Sequence, residues 1–292
     1  MAAVEQRAPE TMGDVQVFSP LSKNQAGHDA IAAYQRDGVI CLRGALEEDW
    51  LAVVEDAIAL YADKEADHDP ANVVVLGDGD DGAFQYASMM WKKNPLFRKV
   101  IFESHVPDLF GSILETSKLN LFYDFLLLKH PGCRSASTPW HQDLSYYALH
   151  GTQIINCWIA LDDIPVETAL RFARGSHVSP EVYRSIHFDP DKAYEGAIVE
   201  RRLPPNFDQE PGAEVVTCAM SRGDALVWNA RTFHAAPGNH LNRRRGALSL
   251  NFAGDDVTYF DMPGDSDPYD RGEGLVEGSS ITCETFPQLR SW

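Results

Sequence analysis

The sequence predicts a mainly β fold, a sandwich or barrel-like core with helices packed on its outside. Amphipathic helical periodicity is confined to the stretch before Lys118, and short strand-like segments separated by Gly, Pro and Asn turns follow it. The chain has 292 residues, 44% of them hydrophobic, and all-β folds of this size often close around one core. One domain is therefore expected over residues 23–292, preceded by an N-terminal arm, residues 1–22, without periodicity.

In chain order, Ala30, Ile31 and Tyr34 give Asn24–Arg36 the spacing of an amphipathic helix, which Asp37-Gly38 ends before the strand-like Val39–Leu42. Glu47–Lys64 reads as a stronger helix, because Leu51, Val54, Ala57, Ile58 and Tyr61 recur at intervals of three and four. The acidic, Gly-rich run Glu65–Gly82 does not have EF-hand spacing and reads as a solvated loop. Gln85–Lys93 is rich in aromatic and sulfur side chains, which suits core packing or the lining of a substrate mouth. Two short helices are expected at Pro95–Glu103 and Val106–Glu115. Strands are expected at Leu119–Lys129, Thr138–Asp143, Ile154–Asp162, Leu170–Arg174, Ala225–Asn229 and Arg245–Phe252. The interval 178–222 breaks this rhythm, and an insertion this long in a compact domain is expected to be a lid over the strand mouth.

A net charge of −18 and a pI near 4.8 argue against nucleic acid and anionic membranes as partners. They also disfavour a highly anionic substrate unless a local cluster such as Arg243, Arg244 and Arg245 overrides the field. The five cysteines are scattered, with no Cys-x-x-Cys pair, as expected of reduced core thiols. No apolar run approaches the roughly 18 to 20 residues of a membrane span, and no apolar leader opens the chain. A cytoplasmic monomer or homodimer acting on a small-molecule substrate is the expectation.

Trp140-His141-Gln142-Asp143 places an imidazole and a carboxylate two residues apart in a predicted strand, where both would point to one face and could hold a metal ion. A second His-x-Asp, His187-Phe188-Asp189, lies beside Pro190 among charges and reads as surface loop. A remote third ligand is needed. His234 ends an apolar strand-like run before Pro237-Gly238-Asn239 and fits, whereas His177 reads as structural and His240 sits in a polar turn. Two imidazoles and one carboxylate leave open positions, the arrangement suited to non-haem Fe(II) and O2. Electrons for such chemistry can come from a chelating 2-oxoacid, whose far carboxylate calls for a buried guanidinium. Arg245, eleven residues after His234, opens a strand whose one face reads Arg245, Ala247, Ser249 and Asn251, leaving room for a dicarboxylate.

From roughly Gly38 to Thr258 the sequence resembles the phytanoyl-CoA dioxygenase (PhyH) family of Fe(II)/2-oxoglutarate oxygenases. The matching elements are Leu128-Lys129-His130-Pro131-Gly132, Trp140-His141-Gln142-Asp143, the run Cys157–Asp163, Ala169–Phe172 with Gly175-Ser176-His177, Gly223-Asp224, and the His234 to Arg245 spacing. The resemblance implies a double-stranded β-helix core, jelly-roll and cupin-like. It also implies iron held by His141, Asp143 and His234, with 2-oxoglutarate anchored by Arg245 and Trp158, Lys129 and Gln142 near the cosubstrate. The family often has Glu-Asn-Gly where this chain has Glu167-Thr168-Ala169, and Ala236 replaces a Ser that can help bind the cosubstrate. Asp143 favours hydroxylation or another oxidation over halogenation. An oxidised small or medium-sized organic substrate, such as a natural-product or lipid-like intermediate, is expected, with release of succinate and CO2. Tyr86, Trp91, Phe122, Tyr146 and Phe252 are the candidate substrate contacts, and acyl-CoA is disfavoured by its charge. The rival readings are a non-catalytic jelly-roll binding protein and a metal-dependent hydrolase.

Overall fold

The computed structural model describes residues 12–62, 73–76, 84–133, 137–188 and 192–292. The chain begins with β1 (Gly13–Asp14), β2 (Val17–Phe18), α1 (His28–Asp37), β3 (Val39–Leu42) and α2 (Glu48–Ala62). Next come β4 (Val73–Leu76), β5 (Phe84–Ser88), α3 (Met90–Lys93), α4 (Pro95–Glu103) and α5 (Val106–Leu114). The strand-rich part opens with β6 (Lys118–Lys129), β7 (Thr138–His141), β8 (Leu149–His150), β9 (Ile154–Ala160), β10 (Arg171–Ala173) and β11 (Val215–Thr217). It closes with β12 (Ala225–Asn229), β13 (His234–Ala236), β14 (Arg245–Ala253), β15 (Thr258–Tyr259) and β16 (Gln288–Ser291).

These strands build two main sheets and a small β15-β8 pair, the double-stranded β-helix. The larger sheet runs β2-β3-β12-β9-β14-β6-β5-β4, with β16 added to β6; the smaller runs β1-β11-β10-β13-β7. Period-two alternation sorts the larger sheet's side chains between its faces. Ile40, Leu42, Ile155, Cys157, Ile159, Val227, Leu248, Leu250 and Phe252 face outward and pack with Tyr34 of α1, Leu51 and Val54 of α2, Phe97 of α4, and Leu109 and Phe110 of α5. Val39, Cys41, Trp158, Ala160, Leu226, Trp228 and Ala247 face inward toward Phe172 and Val216 of the smaller sheet. At roughly 1.5 to 3 kcal/mol for each large apolar side chain buried, the helix-covered face is the main source of stability. The inner face is left to line a cavity.

Local chemistry sets the element ends. Asn94 caps α4 by accepting from the backbone N–H groups of Leu96 and Phe97, with Pro95 in the first turn. Gly38 ends α1 at φ +76°, where a Cβ would come within 2.3 Å of His177 Nδ1. His177 is structural, as expected: its Nε2 hydrogen-bonds the Gln35 carbonyl at 3.1 Å.

Several boundaries differ from the sequence reading. α1 starts at His28 rather than Asn24, because Ser22 and Gln25 close a tight turn through their backbones. The described part of the expected arm, residues 12–22, contributes β1 to the smaller sheet and β2 to the larger. Residues 1–11 and most of Glu65–Gly82 lie outside the described residues; inside that run, Val73–Leu76 pairs with β5 as β4. Gln85–Lys93 divides into β5 and α3. The expected lid, 178–222, contains β11, which is paired on both sides by β1 and β10 and so belongs to the smaller sheet.

Candidate metal centre and active site

His141 ends β7 and His234 begins β13, and the two strands pair with these residues directly opposite each other. Their imidazole centroids are therefore 4.2 Å apart. Asp143 is not on the strand. β7 stops at His141, and Asp143 opens a 3-10 turn, Asp143–Ser145, so the same-face argument is replaced by a turn that brings the carboxylate back toward both rings. Oδ1 lies 3.4 Å from His141 Nε2 and Oδ2 lies 3.6 Å from His234 Nε2. One ligand atom from each of the three residues falls within 4.8 Å of the others.

The donor set fits a metal ion. Each imidazole uses Nδ1 on the carbonyl two residues back, His141 on Pro139 at 2.8 Å and His234 on Thr232 at 3.2 Å. An N–H on Nδ1 leaves Nε2 with a lone pair, the tautomer a metal requires. Burial lowers the His234 pKa to about 4, against the opposing pull of Asp143, so the ring is neutral near pH 7. Burial by itself would raise the Asp143 carboxyl, yet it is held below its ordinary value by His234, His141 and the Trp228 indole. Trp228 Nε1 donates to Oδ2 at 2.9 Å, and Asn156 Nδ2 donates to the same oxygen.

The other polar end of the cavity is cationic. Arg245 opens β14 directly opposite Lys129 on β6, and both are buried. Arg245 donates to the carbonyls of Thr168 and Pro237, and Lys129 Nζ donates to that of Pro237 at 3.0 Å. The Thr168 carbonyl is presented by a 3-10 turn at Val166–Thr168, the local geometry adopted by Glu167-Thr168-Ala169. Arg245 Nε is buried without a hydrogen-bond partner, and among the described residues no carboxylate neutralises the guanidinium. Burial lowers its pKa to about 10, which leaves it charged near neutrality, and burial also holds Lys129 well below the usual lysine range. A buried, unneutralised guanidinium beside a lysine fits a carboxylate ligand. Trp158 faces this end with Arg245 5.9 Å from its ring centroid. Ala236 also lines it, and Thr138, its register partner across the ladder, brings a hydroxyl to the same wall.

Between these ends lies a cavity of about 320 Å³, which includes the three candidate ligands, Arg245, Lys129, Trp158, Tyr86 and Tyr146 among its lining residues. Three expected substrate contacts are elsewhere. Trp91 packs in the helix-covered core against Phe102. Phe252 is on the outward face of β14 against Phe110, and Phe122 lies behind Tyr147 and against Phe286. Alternation explains the last two: Phe252 follows Leu248 and Leu250 on the outward face of β14, and Phe122 is one residue off the lining positions Tyr123, Phe125 and Leu127 of β6, next to a register shift that pairs Phe252 with Leu121.

Gln142 also departs from its expected place beside the cosubstrate. Its amide donates to the carbonyls of Arg231 at 2.9 Å and Glu181 at 3.4 Å and accepts from Tyr183 N–H at 3.1 Å. His187 is on a loop, as expected, but half-buried, and it lines the cavity with Ile186 and the exposed Phe188. Tyr123, Phe125, Tyr194 and Asp267 line it too and were missed, as were Trp228 and Asn156, which bond Asp143 and which alternation along β12 and β9 could have found.

The two sheets with a facial pair of imidazoles and a carboxylate between them define a cupin-like metalloprotein of the kind that leaves coordination positions open to ligands. The family model for phytanoyl-CoA dioxygenase (PhyH) matches residues 34–247, and the chain belongs to that family. Human peroxisomal phytanoyl-CoA dioxygenase is 26% identical over 151 residues, 49% of this chain and 42% of the relative. The chain thus matches less than half the length of such curated relatives. Among solved structures, the epimerase SnoN in complex with Fe3+, alpha ketoglutarate and nogalamycin RO is 26% identical with a TM-score of 0.68, covering 90% of this chain and 98% of that one. The alpha ketoglutarate dependent carbocyclase SnoK from nogalamycin biosynthesis superposes with a TM-score of 0.70 over 93% of this chain and 99% of that one, at 21% identity, a likeness of fold.

Proposed function

We propose that this chain is an Fe(II)- and 2-oxoglutarate-dependent dioxygenase that oxidises, by default hydroxylates, a small or medium-sized organic substrate and releases succinate and CO2. One observation carries the reading: a three-ligand facial site and a buried, unneutralised guanidinium share one cavity. A hydrolase would need the first and not the second. His141, Asp143 and His234 hold the metal, and Trp228 and Asn156 fix the carboxylate's orientation. Arg245 would receive the far carboxylate of 2-oxoglutarate, with the Lys129 amine beside it as a further donor and the Thr138 hydroxyl standing in for the one that Ala236 lacks. Bound iron with 2-oxoglutarate and O2 supplies the oxidising chemistry at a C–H bond. The aromatic wall orients that bond and keeps bulk water away.

Residues 23–292 act as one domain in this reading, with the loop before β11 as a lid. The five free thiols, four of them buried, support a reducing compartment such as the cytosol. Among the described residues no helix is long and apolar enough to cross a membrane. The solved relative SnoN is named an epimerase, which supports a reading in which the outcome of oxidation depends on what the wall presents to the metal. Succinate formation across a panel of apolar and aromatic substrates tests the proposal. The expected result is Fe(II)-dependent succinate with matching O2 uptake, reduced about a hundred-fold or more in Asp143→Ala. Product formation that ignores 2-oxoglutarate would favour the hydrolase instead.

A further inference from the structure

The cavity has a third polar feature that neither iron nor 2-oxoglutarate uses. Apart from Asp143, Asp267 is the one acidic side chain among its described lining residues, and it lies outside the family-matched span 34–247. Its backbone N–H donates to the Tyr146 carbonyl at 2.8 Å, which ties it to the segment leaving the Asp143 turn. The Tyr123 hydroxyl lies close enough to the Asp267 carboxyl to lower its pKa and sits 2.5 Å from the Tyr86 hydroxyl. Aromatic rings line the same cavity: Phe125 has its centroid 5.4 Å from Tyr86 and 5.1 Å from Tyr123, and Tyr146 and Tyr194 are 5.1 Å apart.

Strand register gives the cavity two oppositely charged ends. Lys129 and Arg245 pair at one end of the β6–β14 ladder, whereas Tyr123 pairs with Asn251 farther along it. Six residues of β6 separate Lys129 from Tyr123, about 20 Å at roughly 3.3 Å per residue. The two candidate histidine ligands come from the opposing sheet, and Trp158 pairs with Ser249 in the middle of this span.

We propose that Asp267, which shares its cavity wall with Tyr86, Tyr123, Phe125, Tyr146 and Tyr194, binds a protonated amine carried by an otherwise apolar substrate. The proposal rests on the oxygenase reading of the same cavity. Aromatic faces attract a cation through their quadrupoles, and a carboxylate in a low-dielectric wall gains most from a partner of full opposite charge. Burial, with the Asp143 charge adding, raises the Asp267 carboxyl to about 6, so a cationic ligand relieves what a neutral hydroxyl would not. The net charge of −18 draws cations toward the protein as a whole.

Calorimetric titration of the full chain, loaded anaerobically with Fe(II) and 2-oxoglutarate, compares three probes of one shape: phenethylammonium, 2-phenylethanol and 3-phenylpropionate. The ammonium is expected to bind about ten-fold or more tightly than the alcohol, with the carboxylate weakest. Asp267→Asn should remove that preference and keep the 2-oxoglutarate chelate absorption. Tyr123→Phe, which keeps the ring, should weaken the preference and serves if the first variant does not fold. Equal binding of amine and alcohol, or a preference unchanged in Asp267→Asn, overturns the proposal while an intact chelate band leaves the oxygenase reading standing. Loss of the band in the wild type would instead strike the oxygenase reading itself.

Discussion

Asp143 shows how much of a metal site is built by residues that never touch the metal. Its Oδ2 receives hydrogen bonds from Trp228 and Asn156 while both oxygens lie near imidazole nitrogens, so the carboxylate cannot rotate without losing a partner. Trp228→Phe keeps the ring that packs on Phe172 and His234 and deletes the indole N–H. Metal affinity should fall about ten- to a hundred-fold, read by competition with a chromophoric chelator; an unchanged affinity would mean that the indole does not orient the carboxylate. His141, Asp143, His234 and Arg245 could be singled out because metal and carboxylate chemistry restrict residue type and the family resemblance selects these copies over rivals such as His187, and the structure brings them to one cavity. The place of Gln142 was not legible in the sequence, because adjacency to two ligands says nothing about which way a side chain turns, and here it turns to the loop at Glu181 and Tyr183. Asp267 carried no signal in Asp265-Ser266-Asp267-Pro268, which reads as an ordinary turn.

At the scale of elements, the long strands were legible because alternation persists over β6, β9 and β14, whereas three-residue β11 has too few residues for any period to show. The bulge in β6 was equally hidden, whereas the outward positions of Phe252 and Phe122 follow from alternation along β14 and β6. On β6 the outward-facing Asp124 is fully buried and accepts a hydrogen bond from Trp91 N–H at 3.2 Å, leaving Oδ1 unpartnered. Burial raises this carboxyl from 3.8 to about 7. The folded state therefore binds the proton more tightly than the unfolded chain, and its contribution to stability is fully present below the unfolded value and lost as pH rises through about 7. Asp124→Asn keeps an acceptor for the helix and has no charge to bury. Its melting midpoint should match the wild type at pH 4 and exceed it at pH 8, by about 2 to 4 °C per kcal/mol recovered. A midpoint lowered at pH 8 would show that the ionised form is favoured in the fold.

The loop before β11 is clasped on both sides of the ligand turn. Gln142 bonds Glu181 and Tyr183, and the Tyr146 hydroxyl donates to the Ile186 carbonyl at 2.7 Å and accepts from its N–H at 3.1 Å. Gln142→Ala should therefore speed hydrogen exchange across residues 181–186 by about five- to ten-fold, the worth of one or two such bonds, with the helices unaffected. Exchange unchanged in that segment would mean that the loop is held by other contacts.

For the whole molecule, the double-stranded β-helix brings ligands from β7 and β13 of one sheet to face an anchor from β14 of the other. Among the described residues, the cavity between the sheets brings the candidate metal ligands and the guanidinium for a dicarboxylate together. The central claim is that they do, with His141, Asp143 and His234 on one side and Arg245 on the other. Anaerobic addition of Fe(II) and 2-oxoglutarate tests it most directly, since chelation of the metal by the 2-oxoacid gives a visible charge-transfer band. The wild type should develop that band on adding both components, and Arg245→Ala should need about a hundred-fold more 2-oxoglutarate to reach it. Absence of the band in folded, Fe(II)-loaded wild type would contradict the oxygenase account; its persistence at unchanged 2-oxoglutarate affinity in Arg245→Ala would contradict the anchor.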